Sequence, residues 1–119
     1  MRQPTADEQH IFNALIQADF PGRDTIRQML ETSLVSQIDD KGSLSVHYEG
    51  NEIADTINQI PVEGRAQDRD GVTINFLFHM KDGKPTELEI YKDDGSRIQS
   101  SIGTLKIFPL TLPPYPMER

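Results

Sequence analysis

An α+β fold is predicted for this chain, with two N-terminal helices packed on one face of an antiparallel meander sheet of about five strands. Three observations predict it. The apolar spacing is helical up to Thr32 and alternates residue by residue after Ser33. Acidic glycine turns, Asp39-Asp40-Lys41-Gly42, Asp68-Arg69-Asp70-Gly71 and Lys81-Asp82-Gly83-Lys84, punctuate the alternating part. Leu, Ile, Val and Phe make up 30 of 119 residues, enough to build one modest core.

The first helix begins after Thr5, because Thr5 and Glu8 have capping-box spacing and Ile11, Phe12, Leu15 and Ile16 then fall on one stripe. Phe20-Pro21-Gly22 breaks it. A second helix follows, capped by Gly22 or Asp24, with Ile26, Met29 and Leu30 as its buried face up to about Thr32. Leu34 to Ile38 and Leu44 to Tyr48 alternate on either side of the first glycine turn and read as a hairpin. Ile53 to Asn58 fits either a helical turn or a strand and is read as a loop. It enters a third strand near Ile60 to Gln67, which lies at an edge or begins with Pro61, since proline donates no ladder hydrogen bond.

Val72, Ile74, Phe76, Phe78 and Met80 share one face of a long strand whose other face carries Thr73, Asn75, Leu77 and His79. The turn at Asp82-Gly83 returns it into Thr86 to Tyr91, with Leu88 and Ile90 inward and Glu87, Glu89 and Tyr91 outward. Ser96 to Gly103 alternates too little for a strand, and Leu105 to Leu110 adds a short one. Residues 1–110 then form one domain, and 111–119 a proline-rich extended tail in which Pro113-Pro114-Tyr115-Pro116 satisfies P-x-x-P.

The formal charge is −7, and residues 34–95 carry 6 basic and 13 acidic side chains, so the middle of the chain holds it. With Lys and Arg so outnumbered and no basic run present, nucleic acid is excluded as a partner, because phosphate contact depends on those residues. The acidity suits a protein partner with a basic surface. No cysteine is present, which removes disulfides, thiolate nucleophiles and Cys-built metal sites. No apolar run approaches the ~20 residues that span a bilayer, and no apolar segment follows Met1-Arg2-Gln3-Pro4, so the chain is expected to be soluble, unexported and cytoplasmic, without membrane contact.

The polar sheet face is the candidate binding face, and its residues are His47, Glu63, Arg65, Asn75, His79, Glu89 and Tyr91. Imidazoles among carboxylates suit metal or acid–base chemistry, but His47 and His79 lack H-x-H or H-E-x-x-H spacing. Two residues separate Glu89 from Lys92, which departs from the Glu-x-Lys spacing of metal-dependent nucleases. A phosphate loop and a nucleophile elbow are both missing. The sequence therefore assigns no catalytic residue, no metal ligand set and no cofactor. His10, on the first helix, reads as plain surface.

The helical start, Leu34-Val35 to Asp39-Asp40-Lys41-Gly42-Ser43-Leu44, Glu63 to Asp70-Gly71-Val72 and Leu88-Glu89-Ile90-Tyr91-Lys92-Asp93 together resemble a family of small bacterial domains of unknown function. The resemblance covers roughly Ala6 to Phe108 and implies an α+β fold and a bacterial source, with no activity attached. Function is then expected to be noncatalytic protein binding of the immunity or antitoxin kind. Two alternatives stay open. One is a small-ligand binder or minor enzyme with a pocket between the helices and the sheet, using His47, His79 or Glu89; the other is a homodimer formed through an edge strand.

Overall fold

The computed structural model describes residues 1–56 and 58–111. It contains α1 (Ala6–Leu15), α2 (Arg23–Thr32), β1 (Leu34–Gln37), β2 (Leu44–His47), β3 (Val62–Gln67), β4 (Thr73–Lys81), β5 (Lys84–Lys92), a 3-10 turn at Ile102–Thr104 and β6 (Phe108–Thr111). Ile57 and the tail motif at Pro113 to Pro116 lie outside the described residues.

Local chemistry sets the helix starts as expected. Thr5 caps α1 with a complete capping box, its hydroxyl accepting from the Glu8 N–H at 3.2 Å while Glu8 Oε1 accepts from the Thr5 N–H at 2.9 Å. Arg2 also grips Glu8 through two nitrogens, at 2.6 and 2.9 Å, and this hydrogen bonding holds the Glu8 carboxyl below its ordinary value. Gly22 is the cap of α2. His10 differs from its sequence reading: its Nε2 donates to the Leu105 carbonyl at 2.8 Å, so it fastens α1 to the segment before β6.

All strand pairs are antiparallel, in the order β1-β2-β5-β4-β3-β6. This corrects the expected meander of five strands. The β1–β2 hairpin and the run β3, β4, β5 follow one another in space as expected, but β2 pairs with β5 through Leu44 and Leu88, and β6 is a sixth strand that makes β3 interior. The reason lies in two crossovers at opposite ends of the sheet. Residues 48–56 and 58–61 pass over the β4–β5 turn, where the Ala54 N–H donates to the Gly83 carbonyl at 2.8 Å, the Met80 N–H to the Gln59 carbonyl at 2.7 Å, and Lys84 Nζ to the Gly50 carbonyl at 3.0 Å. That turn is a two-residue loop with Asp82 at φ 53° and Gly83 at φ 77°, the left-handed pair that suits the twist of a hairpin. Residues 93–107 cross the other end, past the β3–β4 turn. Pro61 immediately precedes β3, where its missing N–H costs no ladder bond.

Alternation holds along β4. Ile74, Phe76, Phe78 and Met80 are buried together with Ile11, Phe12 and Leu15 of α1 and Ile26, Met29 and Leu30 of α2 in one core. The Phe12 and Phe78 rings meet edge to face at 6.3 Å. Gly64 lets α1 approach β3 closely: a Cβ there would fall 2.7 Å from Leu15 Cδ2 and 2.9 Å from Ile107 Cγ2. Both helices therefore roof one side of the sheet. No helix among the described residues is long and apolar enough to cross a membrane.

Candidate functional site

The side of the sheet opposite the helices is built by residues out of phase with the core. Directly opposed residues on antiparallel strands project to the same side, so the register gives the layout. Phe108, Arg65, Asn75 and Tyr91 form one row across β6, β3, β4 and β5. Leu110, Glu63, Leu77 and Glu89 form the next. His79, Glu87, Ser45 and Ser36 form a third, across β4, β5, β2 and β1.

Most of the sequence-predicted residues stand here. Arg65 is exposed and lies 3.9 Å from Glu63, a loose ion pair that adds little stability. His47 sits toward the β1 edge, with its Nε2 3.2 Å from Ser36 Oγ. His79 Nε2 lies 3.0 Å from Glu89 Oε1. A carboxylate only accepts, so the ring donates. Asn75 is a correction. It is only 8% exposed, and its Nδ2 donates to Asp93 Oδ1 at 2.6 Å, so its polar group ties the start of β4 to the chain after β5 and offers a partner little surface.

Two residues on this face were missed. Phe108 and Leu110 are 55% and 43% exposed, and β6 places them beside Arg65 and Glu63. Their sequence signal is ambiguous because Ile107, their neighbour, is also apolar but buried. Glu87, outward by pattern, joins His79 and Glu89 in a group whose nitrogen and oxygen donor atoms all lie within 4.8 Å of one another. Among the described residues this is the one trio of His, Cys, Asp or Glu side chains that could hold a metal ion.

The ligand-binding alternative draws on three residues whose side of the sheet the register gives. His47, His79 and Glu89 lie on the side away from the helices, while Ile26, Met29 and Leu88 are buried in the core on the helical side. A cleft of about 470 Å³ lies at one end of the molecule, lined by Lys41, Gly42, Ser96, Arg97 and Ile98 among others.

A second group of charges is buried at that end. Lys92 is in phase with Leu88 and Ile90, so it points to the opposite side from Glu89. Its ammonium donates to Asp68 at 2.9 Å, Asp70 at 2.6 Å and the Arg97 carbonyl at 3.2 Å, which uses all three N–H bonds. Asp68 also accepts from the Arg69, Gln99 and Ser100 N–H groups and the Ser100 hydroxyl, at 2.6 to 2.9 Å. The side chains of Lys92 and Asp68 are both 0% exposed. Burial opposes the Asp68 charge, but the Ser100 hydroxyl, the Gln99 N–H, Lys92 and the Arg69 N–H outweigh it and hold the carboxyl well below its ordinary 3.8. For Lys92, burial is likewise outweighed, by Asp70 and Asp68, so its pKa is raised above the ordinary 10.5. With the Lys92 donors and the Asp68 carboxylate engaged internally, this cluster clamps the second crossover to the β3–β4 turn and is structural.

A family model described as a domain of unknown function, DUF6984, matches residues 1–102. That span covers both helices and β1 to β5 and stops before β6. No curated protein and no solved structure matches the chain.

Proposed function

The chain belongs to the DUF6984 family of domains of unknown function, so its role has to be argued from its own surface, and we propose that it is a noncatalytic protein-binding module whose partner docks on the open sheet face. The observation that carries this reading is the pairing of exposed Phe108 and Leu110 with Arg65 and Glu63 in adjacent rows. Apolar anchors bordered by charge are the composition of a recognition patch, where buried aromatic contacts supply affinity and the polar surround supplies orientation. The same face carries Glu87 and Glu89, and the chain has a net charge of −7. A partner with a basic surface is therefore favoured, and the field speeds its approach. An immunity or antitoxin role in a bacterial cytoplasm fits such a small acidic binder.

The experiment compares capture by the intact chain with capture by a Phe108→Asp/Leu110→Asp variant in lysate of the native host. The expected result is a protein retained by the intact chain and bound at least about tenfold more weakly by the variant, since both anchors are removed. Equal retention by the two, or no protein retained above background, would contradict the reading.

Self-pairing is the second reading. The Arg2 backbone exchanges two hydrogen bonds with Val35, at 2.9 and 2.7 Å, and so covers part of the β1 edge, whereas β6 has only β3 as a strand neighbour among the described residues. Light scattering separates the two, because a dimer doubles the 13.5 kDa chain mass.

A further inference from the structure

We propose that His79, Glu87 and Glu89 form a binding site for one divalent cation of the zinc class. The proposal goes beyond protein binding and stands on different residues from the Phe108 and Leu110 anchors. The donor set is one imidazole nitrogen and two carboxylate oxygens, all within 4.8 Å of one another. A mixed nitrogen and oxygen set of this kind suits zinc and its neighbours, whereas calcium and magnesium favour oxygen ligands alone.

Position supports it. The donors come from β4 and β5, two adjacent interior strands of a six-stranded sheet, where the backbone is held on both sides. His79 lies directly opposite Glu87, and Glu89 follows two residues on along the same face. The β4–β5 register shifts immediately after His79, and the Thr86 hydroxyl donates to the His79 carbonyl at 3.3 Å across this irregularity. Such bulges re-aim the side chains beside them.

Electrostatics points the same way. Lys84 and Lys92, the basic residues of β5, are engaged elsewhere, with the Gly50 carbonyl and with the buried aspartates. Among the described residues, neither Glu87 nor Glu89 pairs with Lys or Arg. Two carboxylates this close repel each other, and a divalent ion between them replaces that repulsion with attraction. Within the His79–Glu89 pair little movement is required, and the Glu87 carboxylate closes from within 4.8 Å. His79 Nε2 and Glu89 Oε1 are 3.0 Å apart, and tetrahedral ligands on zinc stand roughly 3.3 Å apart for bonds near 2.0–2.1 Å. The ion takes the place of the proton that the ring now shares with Glu89. The side chains of His79 and Glu89 are 29% and 41% exposed, so the ion enters from solvent and water fills its fourth position.

The test is calorimetric titration of the full chain with Zn²⁺, alongside the visible absorption of Co²⁺ as a probe of coordination geometry. The expected result is one ion per chain, with affinity at least about tenfold weaker in Glu89→Gln and in His79→Gln and unchanged in His10→Gln. The Co²⁺ bands disappear in the first two variants, while far-ultraviolet circular dichroism shows all three folded. Zn²⁺ also raises the thermal midpoint of the intact chain but not that of Glu89→Gln. Absence of one-site binding in the intact chain overturns the proposal, as does binding that survives both site variants.

Discussion

Replacing Lys92 with alanine is expected to lower the thermal midpoint by on the order of 10 °C, because removing one member of a buried charge cluster strands the others. Asp68 and Asp70 would lose the cation that neutralises them, and the Arg97 carbonyl would lose its donor. The loss propagates to the crossover. Residues 97–100 are held to the β3–β4 turn chiefly through Asp68 and Lys92, so hydrogen exchange of the Gln99 and Ser100 amides should accelerate more than that of β1 or β2.

The same cluster sets a pH dependence with a definite sign. Asp68 has its folded pKa lowered, so its contribution is complete above the ordinary 3.8 and is lost as pH falls through the folded value. Lys92 has its folded pKa raised, so its contribution is complete below the ordinary 10.5 and is lost as pH rises through the folded value. The gap in midpoint between the intact chain and Lys92→Ala is therefore constant from about pH 5 to about pH 9 and narrows only in strong acid or strong base. Differential scanning calorimetry across that range checks it.

Phe78→Ala should have the largest effect of any single core truncation near the helices, about 3–5 kcal/mol by urea denaturation. Its ring is buried and meets Phe12 of α1 edge to face, so truncation removes area, opens a cavity and breaks an aromatic pair together. Against a total stability of roughly 5–15 kcal/mol, this leaves a marginal fold. On the other side of the sheet, Glu63→Ala should change stability by no more than about 0.5 kcal/mol, since its one ion pair among the described residues is 3.9 Å long and its partner Arg65 is exposed. The contrast follows from which face the helices cover.

Local features were legible in the sequence because they rest on near neighbours. Thr5 and Glu8 announce a helix start, and the alternation from Val72 to Met80 announces which side of β4 is buried. The strand order was not legible. Pairing of β2 with β5 depends on how residues 48–56 and 58–61 cross the β4–β5 turn, and apart from the Lys84 ammonium on the Gly50 carbonyl those contacts are backbone hydrogen bonds that leave no residue-type signature. Lys92 shows a different limit: it lies one residue beyond the expected Thr86 to Tyr91 strand, and its inward position in phase with Leu88 and Ile90 makes sense only once Asp68 and Asp70 are known to surround it. For the candidate site, alternation located His79, Glu89 and Tyr91 on one face, whereas the burial of Asn75 required its partner Asp93. Phe108 and Leu110 lie in a segment where apolar residues occupy both faces, so only pairing with β3 reveals their exposure.

The central claim is that one sheet face lies under the helices and the other stands open for recognition. Because the chain has no cysteine, single thiols report on it without interference. Arg65 and Ala66 are consecutive on β3, one exposed and one buried. Labelling should proceed in Arg65→Cys at nearly the rate of a free thiol and in Ala66→Cys at least about a hundredfold more slowly, limited by opening of the fold. Equal rates in the two variants, or faster labelling in Ala66→Cys, would contradict the account.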